Sequence, residues 1–236
     1  MARVSASPVR PQPIVALDVP TLQDAQQLVA RLGDHVDYYK VGLQLFTAVG
    51  PRVVEWLRAQ DKRVFLDLKL HDIPNTVRGA AESAAHAGAS LLTVHAHGGE
   101  AMVRAAVEGA GEHTGILAVT VLTSMDAAAL ATVLGRDVAV ADEVLRYAGV
   151  AAAAGAHGVV CAGSECAAVR ARYAALRPLV PGIRAAGGAM HDQARVVTPR
   201  DASRAGAAYV IFGRAVTAAT DPAAAYATLT ADFAPE

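Results

Sequence analysis

The segment Phe65-Leu66-Asp67-Leu68-Lys69-Leu70-His71-Asp72-Ile73-Pro74 sets two aspartates, a lysine and a histidine into an otherwise apolar run. In a β-strand, Asp67 and Lys69 are two apart and share a face, while Leu66, Leu68 and Leu70 take the other. Opposite charges that close keep each other ionised. Taken alone, the pair reads either as a structural ion pair or as part of a site. Two more charges favour a site: Lys40, inside the apolar run Tyr38-Tyr39-Lys40-Val41-Gly42, and Asp72, just past the strand. A network of four ionised groups is a poor way to stabilise a fold.

The choice of lysine is informative. Only three of the 21 basic residues are Lys (Lys40, Lys62 and Lys69), and the other 18 are Arg. A lysine ammonium can give up a proton when its pKa is shifted, whereas a guanidinium effectively cannot. Lys62 lies in the polar run Asp61-Lys62-Arg63 and reads as a solvated loop charge. Lys40 and Lys69 lie in apolar stretches, where a charge is costly.

A second constellation is Ile211-Phe212-Gly213-Arg214. Glycine permits close backbone approach, a following helix start offers free N–H groups, and arginine supplies a forked donor. This is phosphate-binding chemistry. The loop from Arg184 to Gln193, with Gly187-Gly188, has the composition of a mobile lid. Weaker candidates are His95 and His97, which alternate along a strand. With Asp67 and Asp72 they leave a metal site open as one reading, against ordinary barrel histidines. His71 and His191 have no assigned role. Cys161 reads as a small core residue.

These residues need a scaffold. Apolar runs rich in β-formers recur at 14–18, 38–43, 64–70, 91–97, 116–122, 158–162, 179–184 and 209–214. Ala-rich segments of helical spacing lie between them. Thr21 caps the first, Ala25, Leu28, Val29 and Leu32 form its face, and Gly33 stops it. Thr198-Pro199 opens another, and Gly88, Gly155 and Gly206 each close a helix just before a strand. Eight strands alternating with helices in this length predict a single (β/α)8 TIM barrel over 14–236, with 1–13 as a flexible lead-in. A doubly wound sheet usually carries a Gly-rich turn after strand one, but here that strand ends Asp18-Val19-Pro20. The barrel demands functional groups at the C-terminal ends of strands. Asp18, Lys40, Asp67, Lys69, Asp72, Thr123, Arg184, Gly213 and Arg214 all fall there.

Composition narrows the function classes. The 236 residues are 53% hydrophobic and 18% charged, with net charge -1. That excludes a disordered chain and gives no basic stripe for nucleic acid. No apolar run is long enough to span a membrane, and the N-terminal segment lacks the apolar core of a secretory signal. Two isolated cysteines, Cys161 and Cys166, imply a reducing cytoplasm and no structural zinc.

With these residues in view, the sequence resembles the orotidine 5′-monophosphate decarboxylases in their shorter bacterial form. The likeness runs from Val15-Ala16-Leu17-Asp18-Val19-Pro20 to Ile211-Phe212-Gly213-Arg214. It includes Tyr39-Lys40-Val41-Gly42, Asp67 through Thr76, Val119 through Ser124, and Val180-Pro181-Gly182-Ile183-Arg184. The DxKxxD core is shared with related sugar-phosphate barrels. The Ile73-Pro74-Asn75-Thr76 extension and the Pro181-Gly182-Ile183-Arg184 segment narrow it to the decarboxylases.

The resemblance implies a cofactor-free decarboxylation of orotidine monophosphate to uridine monophosphate. Lys69 is then the proton donor, and Asp67 faces the leaving carboxylate. Lys40 and Asp72 complete the array. Asp72 and Thr76 are expected to come from the partner subunit of a homodimer. Asp18 and Lys40 would hold the ribose, Thr123 the pyrimidine, and Gln193, Gly213 and Arg214 the phosphate, with Arg184 at the base of the lid. Two other readings stay open: a metal-assisted reaction on a sugar phosphate, and a non-catalytic nucleotide-binding barrel.

Overall fold

The structure is a computed structural model and describes residues 10–184 and 197–233. Its centre is a closed, all-parallel barrel with strands in chain order. The strands are β1 (Gln12–Ala16), β2 (Tyr38–Gly42), β3 (Arg63–Leu70), β4 (Leu91–His95), β5 (Gly115–Val119), β6 (Gly158–Val160), β7 (Arg177–Val180) and β8 (Tyr209–Phe212). β8 returns to pair with β1, Ile14 opposite Ile211, which closes the ring. The expected barrel is therefore present. β1 begins two residues inside the expected lead-in, while the strands at 179–184 and 209–214 end earlier than their apolar runs.

The helices are α1 (Leu22–Leu32), α2 (Leu43–Val49), α3 (Arg52–Arg58), α4 (Pro74–His86), α5 (Gly99–Ala110), α6 (Ala127–Leu134), α7 (Val140–Ala153), α8 (Gly163–Arg172), α9 (Pro199–Arg204), α10 (Arg214–Thr217) and α11 (Pro222–Ala231). Their starts follow the sequence signals. Thr21 accepts from the Asp24 N–H at 3.1 Å, and Thr198 accepts from the Asp201 N–H at 3.1 Å. α1 buries Ala25, Leu28, Val29 and Leu32, and Gly33 ends it at φ 58°. None of the described helices is long and apolar enough to cross a membrane.

Alternation along the strands makes two apolar layers. Outward residues such as Val15, Tyr39, Val41 and Leu66 pack against the helices. Inward residues, including Ile14, Tyr38, Phe65, Leu91, Leu117 and Tyr209, fill the barrel. Each fully buried large apolar side chain contributes roughly 1.5–3 kcal/mol. Farther along the same strands, toward their C-terminal ends, the inward positions turn polar: Lys40, Asp67 and Thr93. The apolar plug thus supports a charged floor.

β3 departs from simple alternation. Leu66 pairs with Leu92, but the next pair is Leu70 with Val94. Four residues along β3 span two along β4, so β3 carries a bulge. Within it Lys69 sits at φ 49°, in the left-handed region that non-glycine residues rarely occupy. Such a conformation costs about 1–3 kcal/mol and persists only where neighbours enforce it. Leu68 and Leu70 still pack against the outer layer.

Candidate active site

A cavity of about 540 Å³ opens at the C-terminal ends of the strands. Asp18, Lys40, Asp67, Lys69, Thr123, Arg184, Gly213 and Arg214 all line it. Eight residues singled out from sequence thus meet in one place.

Its floor is an ion-pair chain. Lys40 Nζ donates to Asp18 Oδ1 at 2.7 Å and lies 3.6 Å from Asp67 Oδ2. Lys69 Nζ donates to Asp67 Oδ1 at 2.7 Å. Lys40 and Asp67 are well buried, with 9% and 15% of their side chains exposed, while Lys69 keeps 30% and reaches the cavity. Burial alone would raise the Asp67 pKa. The Lys40 and Lys69 charges, with hydrogen bonds from Lys69 and Thr93, outweigh it and hold the carboxyl below its ordinary value. Asp67 is therefore ionised between two ammonium groups that both line the cavity, Lys69 the more exposed of them.

Two residues that sequence reasoning missed hold this floor. Thr93, fully buried on β4, accepts from the Lys69 N–H at 2.9 Å and donates to Asp67 Oδ1 at 3.0 Å. Its signal was slight: one hydroxyl in the apolar run Leu91-Leu92-Thr93-Val94. Gly42 ends β2 where a side chain would displace the floor's charged groups. A Cβ there would lie 2.8 Å from Asp18 Oδ1 and 2.9 Å from Lys40 Nζ.

The opposite wall is cationic. Arg184 follows β7, buried, its Nη1 donating to the Ile183 carbonyl at 2.8 Å. Burial first, and then the nearby Arg214 cation, lower its pKa. Two guanidinium groups line one cavity beside Gly213, a donor chemistry suited to an anion of more than one charge. Gln193, His191 and the expected lid lie outside the described residues.

Asp72 and Thr76 do not line this cavity. Both are exposed, at the end of β3 and in the first turn of α4. Asp72 Oδ1 accepts the Ile73 N–H at 2.7 Å, beside an Ile73 side chain that is itself exposed.

The histidines also differ from their expected arrangement. β4 ends at His95, and His97 lies in the following 3-10 turn, so the two do not alternate on one strand. His71 packs against both rings, with centroids 5.6 Å and 5.9 Å away. His97 Nδ1 and the Tyr147 hydroxyl are 2.7 Å apart, tying this turn to α7. Burial, followed by the charges of His71, Lys69 and His97, lowers the His95 pKa. Among the described residues no three His, Cys, Asp or Glu side chains are grouped to hold a metal ion. Lys62 is not the solvated charge expected: only 13% of its side chain is exposed, and its ammonium lies 3.9 Å from Asp34.

The family model for the orotidine 5′-phosphate decarboxylase / HUMPS family matches residues 11–229. The chain belongs to this family. Among relatives named orotidine 5′-phosphate decarboxylase, the protein of Anaeromyxobacter dehalogenans is 54% identical over 214 residues, covering 89% of this chain and 92% of its own. That of Thermobifida fusca is 52% identical over 221 residues, covering 93% and 94%. The crystal structure of orotidine 5′-phosphate decarboxylase from Lactobacillus acidophilus superposes with a TM-score of 0.85 at 36% identity, covering 96% of this chain and 100% of that one. The matched span of the family model runs from β1 into α11, so it contains every described residue of the cavity.

Proposed function

We propose that this chain decarboxylates orotidine 5′-monophosphate to uridine 5′-monophosphate in pyrimidine biosynthesis, as a cytoplasmic, cofactor-free homodimer. The observation that carries this reading is the placement of the Lys69 ammonium. It is ion-paired to Asp67 at 2.7 Å at one side of a cavity whose other side holds Arg184 and Arg214. The names of the relatives support the same reaction.

The chemistry follows from the charges. Breaking the bond between the ring carbon and the carboxylate releases carbon dioxide and leaves its electron pair on a carbon with no conjugated sink. The Lys69 ammonium stabilises that pair as it forms and then delivers a proton to the carbon. Asp67 faces the leaving carboxylate and fixes Lys69. Lys40 neutralises Asp67 from the other side and, with Asp18, holds ribose hydroxyls. Thr123 contacts the pyrimidine. Arg214, Gly213 and Gln193 hold the phosphate, and Arg184 lines the site beside them. Binding energy from that distant phosphate is available for ordering the reacting end. Asp72 and Thr76, exposed in one chain, enter the partner's site across the dimer interface.

The test is a spectrophotometric assay with orotidine 5′-monophosphate. Wild-type protein should turn it over with or without a chelator. Lys69→Ala and Lys69→Arg should both fold and be inactive, the second because arginine retains charge but does not donate the proton. Substantial turnover by folded Lys69→Ala would overturn the assignment.

A further inference from the structure

The bulge in β3 raises a question of physical chemistry. Lys69 occupies a left-handed backbone conformation, and the bulge interrupts the ladder that would have satisfied its N–H. A buried N–H left alone is costly, and a strained φ relaxes unless something opposes it. Both problems meet at Thr93. Its hydroxyl accepts the Lys69 N–H at 2.9 Å and donates to Asp67 Oδ1 at 3.0 Å. That same oxygen accepts from Lys69 Nζ at 2.7 Å. The hydrogen bonds form a closed loop, from the Lys69 backbone through Thr93 and Asp67 back to the Lys69 ammonium.

We propose that Thr93 is a positioning residue: its hydroxyl locks the β3 bulge and so fixes where the Lys69 ammonium stands in the cavity. This rests on the reading of Lys69 as the proton donor. Thr93 is fully buried and does not line the cavity, so it acts through Asp67 and Lys69. Its neighbours Leu91, Leu92 and Val94 are apolar and buried, and valine would fill the same space in this strand. What valine lacks is the hydroxyl, whose donor and acceptor roles are both used here. Proton delivery depends on fixed geometry, because a displacement of about 1 Å in a reacting group can cost about a hundred-fold in rate.

The experiment compares Thr93→Val, Thr93→Ser and Thr93→Ala with wild type, using orotidine 5′-monophosphate as substrate and uridine 5′-monophosphate as a binding probe. Thr93→Val should lose about ten- to a hundred-fold in kcat, the scale of a hydrogen bond to a charged group. KM and the Kd of the probe should change less than about three-fold, since ribose and phosphate contacts remain. Thr93→Ser should stay within a few-fold of wild type. If Thr93→Val fails to fold, Ser against Ala carries the test, because these differ only in the hydroxyl: kcat should be at least ten-fold higher for Ser. Folded Thr93→Val with wild-type kcat, or equal kcat for Ser and Ala, would overturn the proposal and leave the decarboxylase reading intact. Failure of the wild type to turn over substrate would overturn both.

Discussion

Lys69 and Asp67 meet at 2.7 Å across a backbone turned into the left-handed region at Lys69. In a flat strand the pair would share a face by alternation alone. Here a bulge sets the geometry, and the ion pair closes it. The floor is thus electrostatically satisfied by Asp67 and mechanically held by its neighbours, and each property has its own test.

The first prediction concerns pH. Asp67 is held below its ordinary pKa, because its two lysines and its hydrogen bonds outweigh burial. A lowered folded-state pKa gives stability that is fully present above the unfolded value, about 3.9, and is lost as pH falls through the folded value. Asp67→Asn should therefore melt below wild type at pH 7. The gap should hold down to about pH 5 and shrink in stronger acid. Melting curves from pH 3 to 8 check this, and a gap that widens in acid would contradict it.

A second prediction concerns Gly42. Alanine there needs no unusual backbone, since φ is -90°. Its methyl would collide with the ends of two flexible side chains, Asp18 and Lys40. The barrel should fold with little change in Tm, while kcat/KM for the nucleotide falls at least about ten-fold as the ribose-holding pair is displaced. Unchanged kinetics would show that the pair has room to move.

The phosphate grip is tested by substrate choice. Arg214→Ala should lose about ten- to a hundred-fold in kcat/KM on orotidine 5′-monophosphate, the scale of a charge-assisted hydrogen bond. The loss on orotidine, which lacks the phosphate, should be far smaller. Equal fractional losses would remove Arg214 from the phosphate site.

Exposed Asp72 yields a complementation test. Asp72→Ala and Lys69→Ala should each be inactive. When freely exchanging subunits are mixed equally, half the two-fold dimers are mixed and each has one intact site, so about a quarter of wild-type activity should return. A mixture that stays inactive despite exchange would place Asp72 outside the partner's site.

The barrel was legible because its signals are local and repeated. Apolar runs, Thr caps at Thr21 and Thr198, and a Gly stop at Gly33 each depend on a few adjacent residues. Lys40, Asp67 and Lys69, which meet in one cavity, were legible because charges inside apolar runs are rare. The bulge was not legible, since Leu66-Asp67-Leu68-Lys69-Leu70 alternates perfectly on paper and only pairing with β4 reveals the surplus residues. Thr93 was hidden for a related reason: threonine is an ordinary strand residue, and its partners lie 24 and 26 positions away. The turn at His97 was likewise read as strand, because its apolar context does not record where β4 stops pairing. Lys62 was misread because its aspartate partner, Asp34, comes from the 3-10 turn after α1, 28 positions away.

The ion-pair floor stands on the ends of β1, β2 and β3, braced by Thr93 on β4, and the two guanidinium groups follow β7 and β8. This division makes the barrel mouth modular. On the reading proposed above, one arc meets the part of a ligand that reacts, and another meets a charged handle that emerges unchanged. On that reading, substitutions on β1 through β4 alter the chemistry without loosening the handle's socket, and a redesigned socket need not disturb the reacting charges. For protein engineering, such a barrel is a chassis in which a new reaction on a phosphorylated compound starts from the first half of the barrel and keeps the ends of β7 and β8 as they are.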